Sequence, residues 1–326
     1  MKKLSIESRD LYMPQTFLVV DTTGRKDYPI EALEKLSDLN VIINSRLLSD
    51  EDEIIEECYN ADIILVSAAD ITRRVIRELK SCKGIVRYGT GIDNIDLKAA
   101  SEKKIVVANV PDFCTDEVAD HCLLLILACA RRLLQYNKQV KQGKWDGGYR
   151  QTVYRLKNKT VGIIGMGSIG KSLADRVRAL KMSVIAFDPY QAKAYGNYNA
   201  VKFVDLHILM KEADFISINC PLNSEIYHLI GERELEFMKP TAYIINVTRG
   251  GIIHENALID SLRHRAIAGA GLDVLEVEPP SLNNVFFQLD NVILTPHIAW
   301  YSEEAYKEVE IKAFEQVSKI LRESQL

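Results

Sequence analysis

Residues 161–171 read VGIIGMGSIGK, and this stretch decides the fold of the region around it. An apolar run predicts a β-strand, glycines at the spacing GxGxxG predict a tight turn, and helical spacing follows at once. A second apolar run ends in Asp188, eighteen residues beyond Gly170. In this order the parts form the fingerprint of a dinucleotide-binding domain. Because the carboxylate of Asp188 can accept hydrogen bonds from both ribose hydroxyls and repels a 2′-phosphate, we expect NAD rather than NADP.

Each glycine of the fingerprint has a separate task. Gly165 allows the tight turn, Gly167 lets the backbone approach the pyrophosphate, and Gly170 lets the helix pack closely on the strand. The backbone N–H groups at the start of the helix, at Ser168 and Ile169, attract the phosphates. The stretch therefore predicts the phosphate-binding part of an NAD site.

Composition places the chain among ordinary globular proteins. It has 326 residues, 47% of them hydrophobic and 26% charged, and this length favours about two domains. A net charge of −4, with lysine and arginine spread along the chain, predicts no binding to nucleic acid or to an anionic membrane. Six cysteines without a CxxC pair indicate free thiols in a reducing compartment and suggest no metal site. With no signal peptide and no apolar run long enough to span a bilayer, we expect a cytoplasmic protein.

Strand and helix patterns alternate along the chain, which predicts parallel α/β architecture. Strands are predicted at residues 16–20, 40–43, 63–66, 85–88, 105–107, 161–164, 182–187, 215–219, 242–246, 268–272 and 292–294. Helices are predicted at residues 30–36, 49–59, 72–79, 115–141, 171–180 and 302–323. The helix at 115–141 is interpreted as one long crossover between two domains.

The fingerprint lies in the middle of the chain, after a complete α/β pattern. We therefore predict two doubly wound parallel-sheet domains, with a Rossmann NAD-binding domain inserted into a flavodoxin-like substrate-binding domain. The NAD-binding domain is predicted to span residues 113–300, and the substrate-binding domain residues 1–112 and 301–326. Ligands are expected in a cleft at the carboxyl ends of the strands.

Four further stretches follow predicted strands, where a doubly wound sheet binds its ligands. They read RYGTGIDN at 87–94, INVTRGG at 245–251, GLDVLEVEPP at 271–280 and LTPHIAW at 294–300. Taken singly, each has an ordinary structural interpretation as a tight turn, an ion-pair arginine, an acidic turn or a satisfied histidine. Together, Arg249, Glu278 and His297 offer a cation for a carboxylate and a proton donor with an acidic neighbour. Reduction of a 2-keto acid requires such a set.

These stretches resemble the motifs of the D-isomer-specific 2-hydroxyacid dehydrogenase family, and the resemblance extends over residues 19–318. In chain order the motifs are GTGIDNID at 89–96, EVADH at 117–121, the fingerprint, CPLN at 220–223, NVTRGG at 246–251, GLDV at 271–274 and TPHIA at 295–299. The resemblance implies an NAD-dependent oxidoreductase acting on a small 2-keto or 2-hydroxy acid. It also implies a homodimer built on the long crossover helix.

The resemblance also implies roles for individual residues. Arg249 is similar to the family's substrate-binding arginine, His297 to its acid/base and Glu278 to the carboxylate that orients the histidine. Asp273 resembles the residue that holds the nicotinamide carboxamide. The other implied substrate contacts are Arg87, Tyr88, Gly89, Thr90 and Trp300, and the other implied cofactor contacts are Cys220, Pro221, Asn223, Val247, Thr248 and His297.

Within the family, the chain is most similar to the C-terminal-binding-protein branch, through HIAWYSEEA at residues 297–305 and through Arg87. Asn219 departs from the family pattern, where histidine is common, and is interpreted as a change in packing near the adenosine side. The branch contains both corepressors and enzymes, so two hypotheses remain. One is a dehydrogenase, favoured by the intact Arg249, Glu278 and His297 set. The other is an NAD(H)-sensing dimer that binds a protein partner, with vestigial turnover.

Overall fold

A computed structural model of the chain describes residues 15–145, 152–191, 198–199 and 201–325. The chain divides into two compact units. Unit 1 comprises Met1–Phe113 with Tyr306–Leu326, and unit 2 comprises Cys114–Ala305. Among the described residues, no helix combines the length and the apolar character that a membrane span requires.

Unit 1 contains a five-stranded sheet in which every pairing is parallel. Its strands are β1 (Phe17–Asp21), β2 (Val41–Ser45), β3 (Ile63–Val66), β4 (Gly84–Arg87) and β5 (Val106–Ala108), in the order β2-β1-β3-β4-β5. Helices α1 (Ile30–Glu34), α2 (Glu51–Cys58), α3 (Arg73–Glu78) and α4 (Leu97–Glu102) alternate with them. All four residues of β3 are buried, as expected of a central parallel strand covered on both faces.

Unit 2 contains a seven-stranded parallel sheet. Its strands are β6 (Thr160–Ile164), β7 (Ser183–Phe187), β8 (Lys202–Phe203), β9 (Phe215–Ile218), β10 (Tyr243–Asn246), β11 (Gly269–Leu272) and β12 (Val292–Leu294), in the order β12-β11-β10-β9-β6-β7-β8. Its helices are α5 (Thr115–Arg131), α6 (Leu133–Lys141), α7 (Ser168–Ala179), α8 (Leu206–Glu212), α9 (Glu232–Glu236) and α10 (Glu255–Arg263). The strand order reverses between β6 and β9, and such a switch point is where doubly wound sheets bind ligands.

The last helix, α11 (Glu303–Glu323), begins in unit 2 and continues through unit 1. Within unit 1 it buries Phe314, Val317 and Ile320, three of the residues whose apolar spacing predicted the helix. Ile320 packs against the sheet so closely that a Cβ on Gly84 would lie 2.8 Å from its Cδ1 atom. The glycine at the start of β4 therefore lets this helix approach the strand.

The prediction of one helix over residues 115–141 is wrong, because the structure has two helices there. Arg132 adopts a left-handed conformation with φ of 51° and ends α5, and α6 begins at the next residue. An α-helix does not continue through a left-handed residue. Eight residues of α5 are buried and none of α6 is, so the two helices also differ in environment. Helical spacing continues across the break, and periodicity alone therefore did not reveal it.

Candidate active site

The three fingerprint glycines have different surroundings in the turn between β6 and α7. Gly165 has φ of +95°, and a Cβ there would lie 2.7 Å from the backbone nitrogen of Cys220. A Cβ on Gly170, in the first turn of α7, would lie 2.2 Å from the carbonyl oxygen of Gly165. A Cβ on Gly167 would meet nothing within 4 Å. The space at the N-terminus of α7 is therefore open, and the phosphates of NAD need N–H donors at such a helix terminus, so these residues fit the cofactor.

Asp188 follows β7, and its carboxylate connects the turn that starts at Asp188 to the glycine turn after β6. Its Oδ2 atom accepts a hydrogen bond from the Met166 N–H at 2.8 Å. Its Oδ1 atom accepts from the N–H groups of Tyr190 at 3.0 Å and Gln191 at 2.9 Å. The carboxylate therefore lies beside the glycine turn, and it also stabilises that turn directly.

The segment after β9 carries three of the predicted cofactor contacts, Cys220, Pro221 and Asn223. The Oδ1 atom of Asn223 accepts hydrogen bonds from the N–H groups of Glu225 at 2.9 Å and Ile226 at 3.0 Å, which orders the turn. Burial raises the pKa of the Cys220 thiol to about 11, so this cysteine is a neutral packing group.

Asn219, which departs from the family pattern, is buried at the end of β9. Its Nδ2 atom donates to the Oγ atom of Ser217 at 3.0 Å, and its Oδ1 atom accepts from the thiol of Cys122 on α5 at 3.5 Å. Asn219 therefore connects the end of β9 to α5.

Arg249 lies in a turn that the buried Asn246 organises from the end of β10. Asn246 Oδ1 accepts from the backbone N–H of Thr248 at 3.1 Å, and its Nδ2 atom donates to the Arg249 carbonyl at 2.9 Å. The Nη1 atom of Arg249 donates to the Thr248 carbonyl at 2.8 Å. A Cβ on Gly250 would lie 1.9 Å from the carbonyl carbon of Leu275. The arginine turn is thus packed directly on the backbone that leads to Glu278.

His297 and Glu278 form the pair that the sequence predicted. The Nδ1 atom of His297 lies 2.6 Å from Glu278 Oε2, and the Oε1 atom of Glu278 accepts from the Leu275 N–H at 2.9 Å. Burial raises the pKa of Glu278, but these two hydrogen bonds and the charges of His297 and Arg249 outweigh burial, so its pKa lies below the ordinary value. The carboxylate is therefore ionised at neutral pH and is suited to support a protonated imidazole.

Asp273 holds the loop that carries His297. The Asp273 side chain is fully buried, and its Oδ1 and Oδ2 atoms accept from the backbone N–H groups of Ile298 at 3.0 Å and Ala299 at 2.8 Å. The Asp273 carbonyl accepts from the His297 N–H at 2.8 Å. His297 itself adopts a left-handed conformation with φ of 53°, which non-glycine residues rarely do and which is concentrated at functional sites.

Comparison with known proteins identifies the family. Residues 123–299, about half of the chain, match the sequence model described as D-isomer specific 2-hydroxyacid dehydrogenase, NAD binding domain. The chain belongs to this family. Family membership, the two parallel-sheet units and NAD as the cofactor, all predicted from the sequence, are thereby confirmed.

Relatives named as a dehydrogenase and a reductase are similar to most of the chain. The D-3-phosphoglycerate dehydrogenase of Methanocaldococcus jannaschii is 39% identical over 295 residues, which cover 90% of this chain and 55% of that protein. The chain thus spans about half the length of that relative. The hydroxypyruvate reductase of Thermotoga maritima is 39% identical over 275 residues, which cover 83% of this chain and 89% of that protein.

Solved structures of the family share the fold. An acyclic imino acid reductase in complex with NADPH and D-Arg is 30% identical, with a TM-score of 0.85, and the match covers 95% of this chain and 98% of that one. The D-lactate dehydrogenase of Aquifex aeolicus, complexed with NAD and lactic acid, is 27% identical, with a TM-score of 0.82 and coverage of 94% and 96%.

The predicted substrate residues of unit 1 lie at the end of β4 and directly after it. Tyr88 is buried, and its hydroxyl donates to Asp21 Oδ2 at 2.9 Å, so its side chain points into unit 1. Gly89 has φ of +134°, and a Cβ there would lie 1.7 Å from Nη1 of Arg87, so the guanidinium lies against the glycine backbone. Thr90 is exposed, and its hydroxyl donates to the Val110 carbonyl at 3.2 Å. Burial of Tyr88 favours a role in shaping this loop over direct contact with substrate.

Unit 2 brings Arg249, Glu278, His297 and Asp273 together, as the alignment of strand ends predicted. Trp300 lies three residues beyond His297, and its ring meets that of Tyr301 edge-on, with centroids 5.7 Å apart. The sequence reasoning assigned no role to Asn246, Thr295 or His121, although all three contribute hydrogen bonds to these loops. The signal for Asn246 was a polar residue at the end of an apolar strand. Within the described part of the chain, no group of three or more His, Cys, Asp or Glu residues is arranged to hold a metal ion.

Proposed function

We propose that the chain is an NAD-dependent D-2-hydroxyacid dehydrogenase that interconverts a 2-keto acid and its D-2-hydroxy acid. The observation that carries the proposal is the hydrogen bond between His297 Nδ1 and Glu278 Oε2, formed beside the charge of Arg249. This arrangement supports the assignment of His297 as the acid/base and of Arg249 as the carboxylate-binding cation. A 2-keto acid needs both groups, because reduction generates an alkoxide beside a permanent negative charge.

Each of the three residues has a distinct task. Arg249 binds the substrate carboxylate and polarises the keto oxygen with a charge that it cannot lose. Glu278 binds Nδ1 of His297, which leaves Nε2, on the opposite side of the ring, to exchange a proton with the substrate oxygen. When bound, NAD supplies or accepts the hydride at C2 of the substrate. In the reducing direction, His297 delivers the proton that completes the hydroxyl group.

The roles of the remaining predicted residues follow from the family resemblance. We assign Ser168, Ile169, Asp188, Cys220, Pro221, Asn223, Val247 and Thr248 to the cofactor, and Arg87, Gly89, Thr90 and Trp300 to the substrate, whereas the buried Tyr88 shapes the loop that carries Gly89 and Thr90. Open space at Gly167 and the position of Asp188 beside the glycine turn support the cofactor set. Assignment to the C-terminal-binding-protein branch, a homodimer and a cytoplasmic location are parts of the same proposal.

The test is NADH consumption against a panel of 2-keto acids. The panel includes glyoxylate, hydroxypyruvate, phosphohydroxypyruvate and bulky apolar members, each with and without ammonium, because one structural neighbour is an imino acid reductase. Turnover with kcat/KM of about 10⁴ M⁻¹s⁻¹ or more supports a dehydrogenase and identifies its substrate class. Tight NADH binding with only trace turnover would favour the NAD(H)-sensing dimer, and turnover only with ammonium would favour imine reduction.

His297→Gln removes the proposed proton donor and leaves the other residues of the site in place. Loss of general acid catalysis lowers kcat by about 10²- to 10⁴-fold, while the NADH dissociation constant stays unchanged. If this variant kept normal turnover, His297 would not be the proton donor. His264→Gln is the matched control, because His264 is exposed at the end of α10.

A further inference from the structure

A chain of polar contacts connects helix α5 to the ends of β11 and β12 in unit 2. The Nε2 atom of His121, on α5, lies 3.0 Å from the hydroxyl of Thr295. That hydroxyl donates to Asp273 Oδ1 at 2.5 Å. The His121 side chain is 14% exposed and that of Asp273 is 0% exposed, so the contacts are largely shielded from water. The three residues are distant in sequence, and the proposed reaction uses none of them as an acid, a base or a substrate ligand.

The direction of these hydrogen bonds follows from the single proton on the Thr295 hydroxyl. A threonine hydroxyl has one proton, and Thr295 donates it to the carboxylate of Asp273. The contact between Thr295 and His121 must then use a proton on Nε2 of the histidine. His121 therefore donates to Thr295, and Thr295 donates to Asp273.

Asp273, held by the hydrogen bond from Thr295, in turn holds the loop that carries the proposed acid/base. Its side chain and its carbonyl together accept from three consecutive backbone N–H groups, those of residues 297, 298 and 299. His297 is the residue of this loop with a left-handed backbone, at φ of 53°. Such a conformation costs free energy and persists where surrounding contacts hold it. The three N–H groups bonded to Asp273 supply those contacts.

A second contact joins the same face of α5 to the far end of this loop. Glu117 precedes His121 by four residues, so the two side chains lie one above the other on the helix. Glu117 Oε1 accepts from the hydroxyl of Ser302 at 2.8 Å. Ser302 Oγ in turn accepts from the Ala305 N–H at 2.9 Å, at the start of α11. Helix α5 therefore contacts the loop on both sides of His297.

We propose that His121 and Thr295 are positioning residues that hold Asp273, and through it the backbone of His297, in place for proton transfer. The resemblance implies that Asp273 is a nicotinamide ligand, and its oxygens also accept three hydrogen bonds from Thr295, Ile298 and Ala299. These contacts give Asp273 a second role, in holding the loop. The kinetic part of this proposal depends on the proposed function, whereas its structural part does not.

Thr295→Val tests the relay, by which we mean the hydrogen bonds from His121 to Thr295 and from Thr295 to Asp273. Valine keeps the shape of threonine and removes the hydroxyl. We expect kcat to fall by about 100-fold, since a catalytic group displaced by about 1 Å loses rate to this extent. The NADH dissociation constant and the KM for the keto acid should change little, because no ligand contact is removed. Thr295→Ser, which keeps the hydroxyl, should restore most of the lost rate. His121→Leu should lower kcat as Thr295→Val does, and His121→Gln, which keeps an N–H donor, should recover part of it.

Amide hydrogen exchange provides a readout that is independent of activity. In Thr295→Val, the amides of Ile298 and Ala299 should exchange at least about 10-fold faster than in the wild type, while those of β10 stay protected. Thr241→Val, at an exposed threonine, is the matched control and should change neither amide.

Unchanged exchange at Ile298 and Ala299 would overturn the proposal, and so would faster exchange throughout unit 2, which would indicate a general loss of stability. A wild-type protein that reduced no 2-keto acid would refute the proposed function, and the exchange measurement would still decide the relay. In an active enzyme, wild-type kcat in Thr295→Val would refute positioning.

Discussion

The Nδ1 atom of His297 lies 2.6 Å from Oε2 of Glu278, and the other oxygen of that carboxylate accepts from the Leu275 N–H at 2.9 Å. Both oxygens of Glu278 are therefore engaged, one by the proposed acid/base and one by the backbone of its own turn. A carboxylate held in this way fixes both the tautomer and the direction of the imidazole ring.

Glu278→Gln should lower kcat by about 10²-fold or more. The amide has nearly the same shape as the carboxylate but carries no charge to support an imidazolium, so proton transfer becomes harder. The measurement is steady-state kinetics with the best keto acid, together with NADH titration. Glu232→Gln, in the first turn of α9, is a matched control that should leave kcat unchanged. A fall of less than about threefold in Glu278→Gln would contradict the role assigned to this carboxylate.

The acid stability of the fold should depend on Glu278 in a defined direction. Its folded pKa lies below the ordinary value of 4.5, because the hydrogen bonds from His297 and Leu275, together with the charges of His297 and Arg249, outweigh burial. Ionised Glu278 therefore stabilises the folded state fully above the unfolded pKa, and this contribution is lost as the pH falls through the folded pKa. We expect a gap in Tm between wild type and Glu278→Gln at neutral pH that narrows below pH 4.5. A gap that widened on acidification would contradict this sign.

Gly170→Ala should weaken NADH binding and destabilise unit 2. The new Cβ would lie 2.2 Å from the carbonyl oxygen of Gly165, so either the helix or the glycine turn must move. Overpacking of this kind costs about 1–3 kcal/mol. Gly231→Ala is the matched control, because its nearest neighbour would be Glu234 Oε2 at 3.5 Å. NADH titration and chemical unfolding of both variants test the prediction, which normal binding and stability in Gly170→Ala would refute.

Removal of the charge at Asp188 should narrow the preference for NADH over NADPH. In the wild type, the negative charge of this carboxylate repels the 2′-phosphate of NADPH. Asp188→Ala also removes the acceptor for the Met166 N–H, so it should weaken binding of both cofactors. Asp188→Asn keeps an oxygen that can accept from the Met166 N–H. This variant therefore distinguishes the effect of the lost charge from the effect of a less stable turn. An unchanged ratio of kcat/KM for the two cofactors in both variants would mean that another residue sets the preference.

Tyr88→Phe should affect stability and leave the ranking of substrates unchanged. The phenol donates to the buried Asp21, which also accepts from the hydroxyl of Tyr28 at 2.8 Å. Loss of one of these bonds costs about 1–2 kcal/mol. Tyr59→Phe, at a side chain that is 44% exposed, should be close to neutral. If Tyr88→Phe changed which keto acid is preferred, the side chain would act on the substrate after all.

Much of the architecture was predictable because it depends on local patterns. Strand β3 and strand β12 were predicted with their exact bounds, since buried parallel strands are short apolar runs between turn residues. Helix α4 was missed, although Asp96 caps it by accepting from the Ala99 N–H at 2.8 Å. Residues 89–96 combine a glycine-rich ligand-loop pattern with the start of this helix, and the loop pattern masks the helix start.

The sequence by itself determined the NAD fingerprint and predicted the proposed catalytic set, because each depends on residue type at a fixed place relative to a strand end. The tertiary structure alone decided the break at Arg132, the inward direction of Tyr88 and the partners of Asp273. These depend on contacts between residues far apart in the chain, such as His121 and Thr295, which lie on different elements. No local sequence pattern predicts such contacts, because they form only when the helices pack against the folded sheet.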